Sequence, residues 1–274
     1  MLKQTFYILT LIILFSTISI GGGVTILPKQ IFFDETQKMV PLTVRNENDI
    51  EVEISVRLVY SYITTNDTGK IDIIVDSSST EITSAASWIR PYPLRFILGG
   101  LESQTVRLVA SPPPDIPNGE YWARIMVRVI PRRIITDTSL SKIRGGLVMA
   151  QEVGVPIYYR KGKVSTGLET SNFVVQKINN EIVFSINLTR VGNAAFNGTR
   201  ILRLRDQEGK IIASSSTSLV VFNNYVLKDR LKIKDVPPGK YTAELEINSK
   251  RKDTLSKFLI PAAPLQFSTN IEIQ

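Results

Sequence analysis

Between residues 52 and 58 apolar and polar side chains alternate without a break: Val52, Ile54, Val56 and Leu58 interleave with Glu53, Ser55 and Arg57. A period of two with one apolar face marks a strand lying on a core with its other side in water. The pattern breaks at Val59-Tyr60. Further strand-like segments follow at 71–75, 94–98, 105–110, 121–130 and 147–159. The second half repeats the texture at 173–176, 181–189, 199–205, 210–213, 219–222, 231–233, 241–247 and 257–260. Polar turn clusters separate them, among them Asn46-Glu47-Asn48-Asp49, Asn66-Asp67-Thr68-Gly69 and Asp206-Gln207-Glu208-Gly209. No segment sustains a helical period. Short strands at this spacing predict an all-β chain made of immunoglobulin-like sandwiches.

The opening residues stand apart from that pattern. Lys3 is followed by an apolar run over 6–20 and by Gly21-Gly22-Gly23, the three-part layout of a secretory signal peptide. The run is shorter than the ~20 residues that span a bilayer, so 1–22 is read as a cleaved leader and the mature chain as exported. Periplasmic residence is the expectation, ahead of membrane anchoring or release outside the cell. The remaining length suits two ordinary domains. Lys161-Gly162-Lys163 interrupts the apolar pattern, which predicts a first domain over 23–161 and a second over 162–274.

An internal echo supports the division. Pro117-Asn118-Gly119-Glu120-Tyr121-Trp122-Ala123 lines up with Pro237-Pro238-Gly239-Lys240-Tyr241-Thr242-Ala243, with Pro, Gly, Tyr and Ala in register. Each copy reads as a turn feeding a strand, proline fixing φ and glycine permitting the reversal. In immunoglobulin-like sandwiches a tyrosine at this corner hydrogen-bonds back to the preceding backbone.

Composition removes many functions. The chain contains no His and no Cys. Triads with an imidazole base and zinc sites of the His/Cys kinds are therefore excluded. Carboxylate pairs remain, but Asp34 with Glu35 and Asp206 with Glu208 sit in polar turns and read as solvated. No glycine-rich phosphate loop precedes a helical pattern. The formal charge of +8 is spread along strands and not gathered in a run, which argues against nucleic acid and is consistent with steering toward an acidic partner. The expectation is a protein-binding, non-enzymatic chain without cofactor, metal or small-molecule substrate.

Several stretches of the first domain resemble the PapD-like periplasmic chaperones that assemble pili. Val24-Thr25-Ile26-Leu27-Pro28-Lys29-Gln30-Ile31-Phe32-Phe33-Asp34 looks like that family's opening strand, and Leu42-Thr43-Val44-Arg45-Asn46-Glu47-Asn48 like the strand after it. Pro93-Leu94-Arg95-Phe96-Ile97-Leu98, Gln104-Thr105-Val106-Arg107-Leu108 and the closing Ile157-Tyr158-Tyr159-Arg160 extend the match. The resemblance implies a chaperone that donates a β-strand to an incomplete subunit of a surface fibre, with an outer-membrane usher as a further partner. By register from Tyr159-Arg160, the donating positions would be Leu147, Met149, Gln151 and Val153. The cleft positions implied by the resemblance are Lys29, Gln30, Pro156 and Arg160. Where the family carries an Arg and a Lys that grip the subunit's terminal carboxylate, this sequence has Gln30 and Pro156. A second reading stays open: a structural or adhesive envelope protein whose sandwiches bind partners without donating a strand. The basic segment 131–146 is expected to be a long loop that orders on partner binding.

Overall fold

A computed structural model describes residues 23–76, 82–132, 149–234 and 236–273. The leader 1–22, Leu147 and most of the basic loop lie outside the described residues. The chain is all-β and forms two sandwiches. In the first, one sheet has the order β1 (Val24–Leu27), β3 (Met39–Asn46), β8 (Ser103–Ala110), β6 (Ile89–Tyr92). The facing sheet runs β2 (Ile31–Phe33), β10 (Gln151–Lys161), β9 (Gly119–Pro131), β4 (Val52–Thr65), β5 (Ile71–Asp76), with β7 (Arg95–Leu98) also on β4. In the second sandwich, β11 (Thr166–Ile178), β12 (Glu181–Gly192) and β15 (Asn224–Lys232) face β14 (Ile211–Val221), β13 (Phe196–Arg205), β16 (Gly239–Asn248) and β17 (Leu265–Ile273).

The alternation seen in the sequence is what fills the first core. Val52, Ile54 and Val56 point inward, Glu53 and Arg57 outward, and Leu58 packs at the rim. They meet Leu42, Val44, Val106 and Leu108 from the other sheet and Ile125, Val127, Val155 and Ile157 from their own. Where the alternation breaks at Val59-Tyr60, β4 does not end: it leaves β9 after Val59 and pairs with β5 from Tyr60 onward. The change of partner explains the change of pattern, because the far half of β4 packs on different neighbours. One buried polar group ties the first corner: the Asn46 side chain donates to the carbonyls of Ile50 (2.7 Å) and Gly99 (2.9 Å) and accepts from the Asn48 amide (3.0 Å). A buried amide needs this full set of partners.

Both copies of the internal echo make the same corner. Tyr121 Oη donates to the Pro117 carbonyl at 2.7 Å, and Tyr241 Oη donates to the Pro237 carbonyl at 2.8 Å. The second sandwich departs from the sequence expectation at two places. The Ser/Thr-rich residues 214–218, which read as a gap between two strands, lie within β14, an edge strand whose polar side chains face water. The segment at 257–260, read as a strand, contains a short 3₁₀ turn (Ser256–Phe258), and the closing strand β17 lies beyond Pro261 and Pro264. Phe258 leaves the sheet pattern because its ring stacks on Phe32 of the first domain, centroids 4.3 Å apart.

That contact belongs to an aromatic cluster between the sandwiches. Phe32, Tyr60, Trp122 and Tyr158 of the first domain pack with Ala195 and Phe222 of the second. Trp122 meets Phe222 edge-on at 4.8 Å, and Tyr158 lies 5.0 Å from Phe32. Aromatic pairs at such distances add to their area burial. At the centre of the junction sits Glu120, 3% exposed. Its carboxylate accepts from Arg160 Nε (2.8 Å), Trp122 Nε1 (3.0 Å) and the Ala195 amide of the second domain (3.2 Å). Asn193 adds a polar latch, accepting from the Ser165 amide (2.8 Å) and donating to the Asn118 carbonyl (3.0 Å).

Candidate functional site: the open edge of strand β10

The last strand of the first sandwich has two unequal edges. On one side it pairs with β9 along its whole length, from Gln151 opposite Val129 to Lys161 opposite Gly119. On the other side β2 runs parallel to it only at Ile157, Tyr158 and Tyr159. Among the described residues, 151–156 therefore has no strand on that side. The stretch is about 20 Å long at ~3.3 Å per residue. The cause lies in the opening segment: β1 pairs with β3 in the opposite sheet, and the chain crosses over at Pro28 to Gln30 before β2 begins. Because the first strand divides its length between two sheets, it covers only the far end of β10.

The side chains of β10 grade from core to solvent along this edge. Tyr159, Ile157 and Val155 are buried in the first core, and Val153 packs partly against it. Gln151 is exposed at the head of the strand, and Met149 precedes the strand at 76% exposure. The sequence-derived donor positions thus divide: Val153 serves this domain's own core, Gln151 is exposed at the head of the strand, Met149 is exposed just before it, and Leu147 lies outside the described residues.

The opposite face of β10 is built differently. Glu152, Gly154, Pro156 and Tyr158 share it with Arg128, Met126, Arg124 and Trp122 on β9 by cross-strand register. Arg57 of β4 grips Glu152 with Nε and Nη2 at 3.1–3.2 Å. Arg95, Ser55, Arg128 and Glu152 form one row across β7, β4, β9 and β10. A cleft of about 550 Å³ opens there, lined by Arg57, Arg95, Arg128 and Glu152. Proline is tolerated on edges, where a ladder donor is not required, and Pro156 stands at the end of the open stretch.

The cleft positions are placed as follows. Gln30 lies at the crossover, its side chain reached by the Thr254 hydroxyl at 3.4 Å. Lys29 is exposed beside it. Arg160 is committed to Glu120 and lies 5.3 Å from the Phe32 ring centroid, and Lys161 donates to the Pro114 carbonyl. Burial pushes the Tyr158 hydroxyl well above its usual range, with Glu120 adding to the effect. The residue that sequence reasoning missed is Arg124, directly opposite Pro156. Its signal was present: an isolated glycine inside a strand pattern, here Gly154, marks close approach by another group, and Arg124 and Arg128 alternate with apolar residues toward the outward face.

No family model matches this chain, and no curated protein sequence matches it. Among solved structures it is similar to a chain of the CsuC–CsuE chaperone–tip adhesion subunit pre-assembly complex from the archaic chaperone-usher Csu pili of Acinetobacter baumannii. The two are 13% identical, over 88% of this chain and 98% of that one, with a TM-score of 0.45. It is also similar to the E. coli chaperone DraB, at 12% identity over 92% and 96% of the two chains with a TM-score of 0.42. A third is a chain from the Salmonella enterica SafA pilin complex with the SafB chaperone, at 12% identity over 90% and 97%, TM-score 0.42.

Proposed function

We propose that this protein is an exported, periplasmic chaperone that holds subunits of a surface fibre by lending the open edge of β10 to their unfinished sheet. One observation carries the reading: among the described residues, the stretch 151–156 is paired on one edge and unpaired on the other. An extended edge of this kind is a template for another chain, because each unpaired N–H and C=O along it finds a partner when a strand is added. The side chains support the same direction of use. Val155 and Val153 anchor the strand in its own core, so the edge is held rigid, while Gln151 and Met149 are left to meet the partner. The resemblance of the opening and closing strands to pilus chaperones supports fibre subunits as the partner class. With the boundary at Lys161-Gly162, the second sandwich buttresses this edge through the aromatic cluster, and the usher would be a further partner of the loaded complex.

The experiment is capture. Full-length mature protein, tagged at its C-terminus, is used to pull fibre subunits from a periplasmic extract of co-expressing cells. Leu147→Asp together with Met149→Asp should abolish capture while circular dichroism and the melting midpoint stay at the parental values. Undiminished capture by that double variant would remove strand lending from this account.

A further inference from the structure

Arg124 sits on the outward face of β9, one strand away from the open edge, directly across from Pro156. Its side chain does not stand up into solvent. A Cβ added at Gly154 would lie 2.7 Å from Arg124 Cδ and 3.3 Å from its Cγ, so the arginine stem lies across β10 in the space that glycine leaves. The direction is toward the unpaired edge. The Nε atom is buried and has no hydrogen-bond partner among the described residues. A buried guanidinium donor without an acceptor is costly and rare in a folded protein. Burial pushes this guanidinium down from its usual range, and the opposing influence comes from Tyr158, not from a carboxylate. The neighbouring carboxylate on β10, Glu152, is already engaged by Arg57. Arg128 and Arg95 continue the positive row along the same face.

We propose that Arg124 is a specificity-determining residue for the strand that adds to β10, taking the carboxylate of an Asp or Glu on that strand's outward face. The proposal rests on the edge-pairing reading. A strand added at the open edge lies about 10 Å from β9, two inter-strand spacings. An arginine laid over a glycine covers most of that distance, and an acidic side chain covers the rest. Arginine suits the role because its planar fork meets a carboxylate with two parallel bonds. The partner chemistry is thus an extended, apolar segment carrying an acidic residue on the side away from the chaperone core.

The test uses the full mature protein and three synthetic peptides. Each is an acetylated eleven-residue peptide (a size chosen for the assay, roughly the length of a barrel strand) alternating valine and threonine. They differ only at one central threonine position, replaced by Glu, Gln or Lys. Fluorescence anisotropy should show the Glu peptide binding about tenfold tighter than the Gln peptide, a factor equivalent to ~1.4 kcal/mol, and the Lys peptide binding weakest. In Arg124→Gln the Glu preference should fall to about unity while the Gln peptide binds as before, and Arg124→Lys should restore part of it. Gly154→Val, which drives a side chain into the arginine stem, should lower the preference as Arg124→Gln does. A Glu preference undiminished in Arg124→Gln, or no preference in the parent protein, overturns the assignment to Arg124 and leaves edge pairing standing. Failure of all three peptides to bind the parent protein overturns both.

Discussion

Removing the Glu120 carboxylate should uncouple the two sandwiches, and the size of the effect can be worked from its surroundings. The carboxylate is 1% exposed and its partner Arg160 16% exposed. Glu120→Ala leaves a mostly buried guanidinium without its counter-charge, and it orphans Trp122 Nε1–H and the Ala195 amide. Breaking a buried pair by removing one partner costs about 3–5 kcal/mol. The residual exposure of Arg160 lets water reach it, which places the expectation near the lower end, ~3 kcal/mol. Trp122 Nε1 and the Ala195 amide donate to one carboxylate oxygen and Arg160 to the other, so Glu120→Gln keeps an acceptor for the first two and loses only the charged bond to Arg160, and roughly half the Glu120→Ala loss is expected. Arg160→Ala should cost at least as much as Glu120→Ala, because it strands the more deeply buried charge. Both tryptophans of the chain, Trp88 and Trp122, belong to the first sandwich. Urea unfolding followed by their fluorescence therefore reports that domain and, through Trp122, the junction, while far-ultraviolet circular dichroism reports both sandwiches. The parent protein is expected to unfold with the two signals close together and Glu120→Ala with them apart, the fluorescence midpoint shifted lower. A change below 1 kcal/mol with coincident transitions would refute the view that Glu120 is the buried hub of the junction.

Other expectations follow from the same structure. Tyr121→Phe and Tyr241→Phe each remove one corner hydrogen bond and should each cost about 1 kcal/mol in urea unfolding; they lie in different sandwiches, so the double variant should show the sum. The buried Asn46 side chain donates to the carbonyls of Ile50 and Gly99 and accepts from the Asn48 amide, and Asn46→Ala should lower stability by about 2–3 kcal/mol. Three carboxylates are held below the usual range: Asp34 by the Thr36 hydroxyl and the Gln37 amide, Glu246 by Asn248 and Arg203, and Asp253 by Arg251. The unfolded chain then binds more protons as the pH falls, so their contribution is complete above the unfolded carboxylate range and is lost as pH falls through the folded values. A melting midpoint that is level near neutrality and declines below about pH 4 is expected, with a shallower decline in Asp253→Asn.

What was legible in the sequence was whatever depends on a residue and its near neighbours along the chain. Alternation at 52–58 identified the inward face of β4, and the two Pro-Gly-Tyr echoes identified both corners, because a strand's faces and a turn's geometry are local. The head of β10 was legible as a candidate edge only through resemblance, since Val153 and Val155 read the same whether they fill their own core or another's. Arg124 escaped notice for a related reason. An outward arginine on a strand ordinarily reads as solvated, and it gains meaning only when the register sets it opposite Pro156 and beside Gly154. The Ser/Thr run within β14 and the 3₁₀ turn ending at Phe258 were misjudged because an edge strand needs no apolar face and because Phe258 packs across to Phe32, a partner distant in sequence.

The account turns on whether the backbone of 151–156 is available on one side, and amide hydrogen exchange resolved along β10 measures that directly. In the free protein, amides at 157–159, covered by β2 and β9, should exchange slowly, while those at 151–155 on the open side exchange quickly. Binding of a captured subunit should slow the second group and leave the first unchanged. Slow exchange throughout 151–155 in the free protein, or no slowing in the complex, would contradict it.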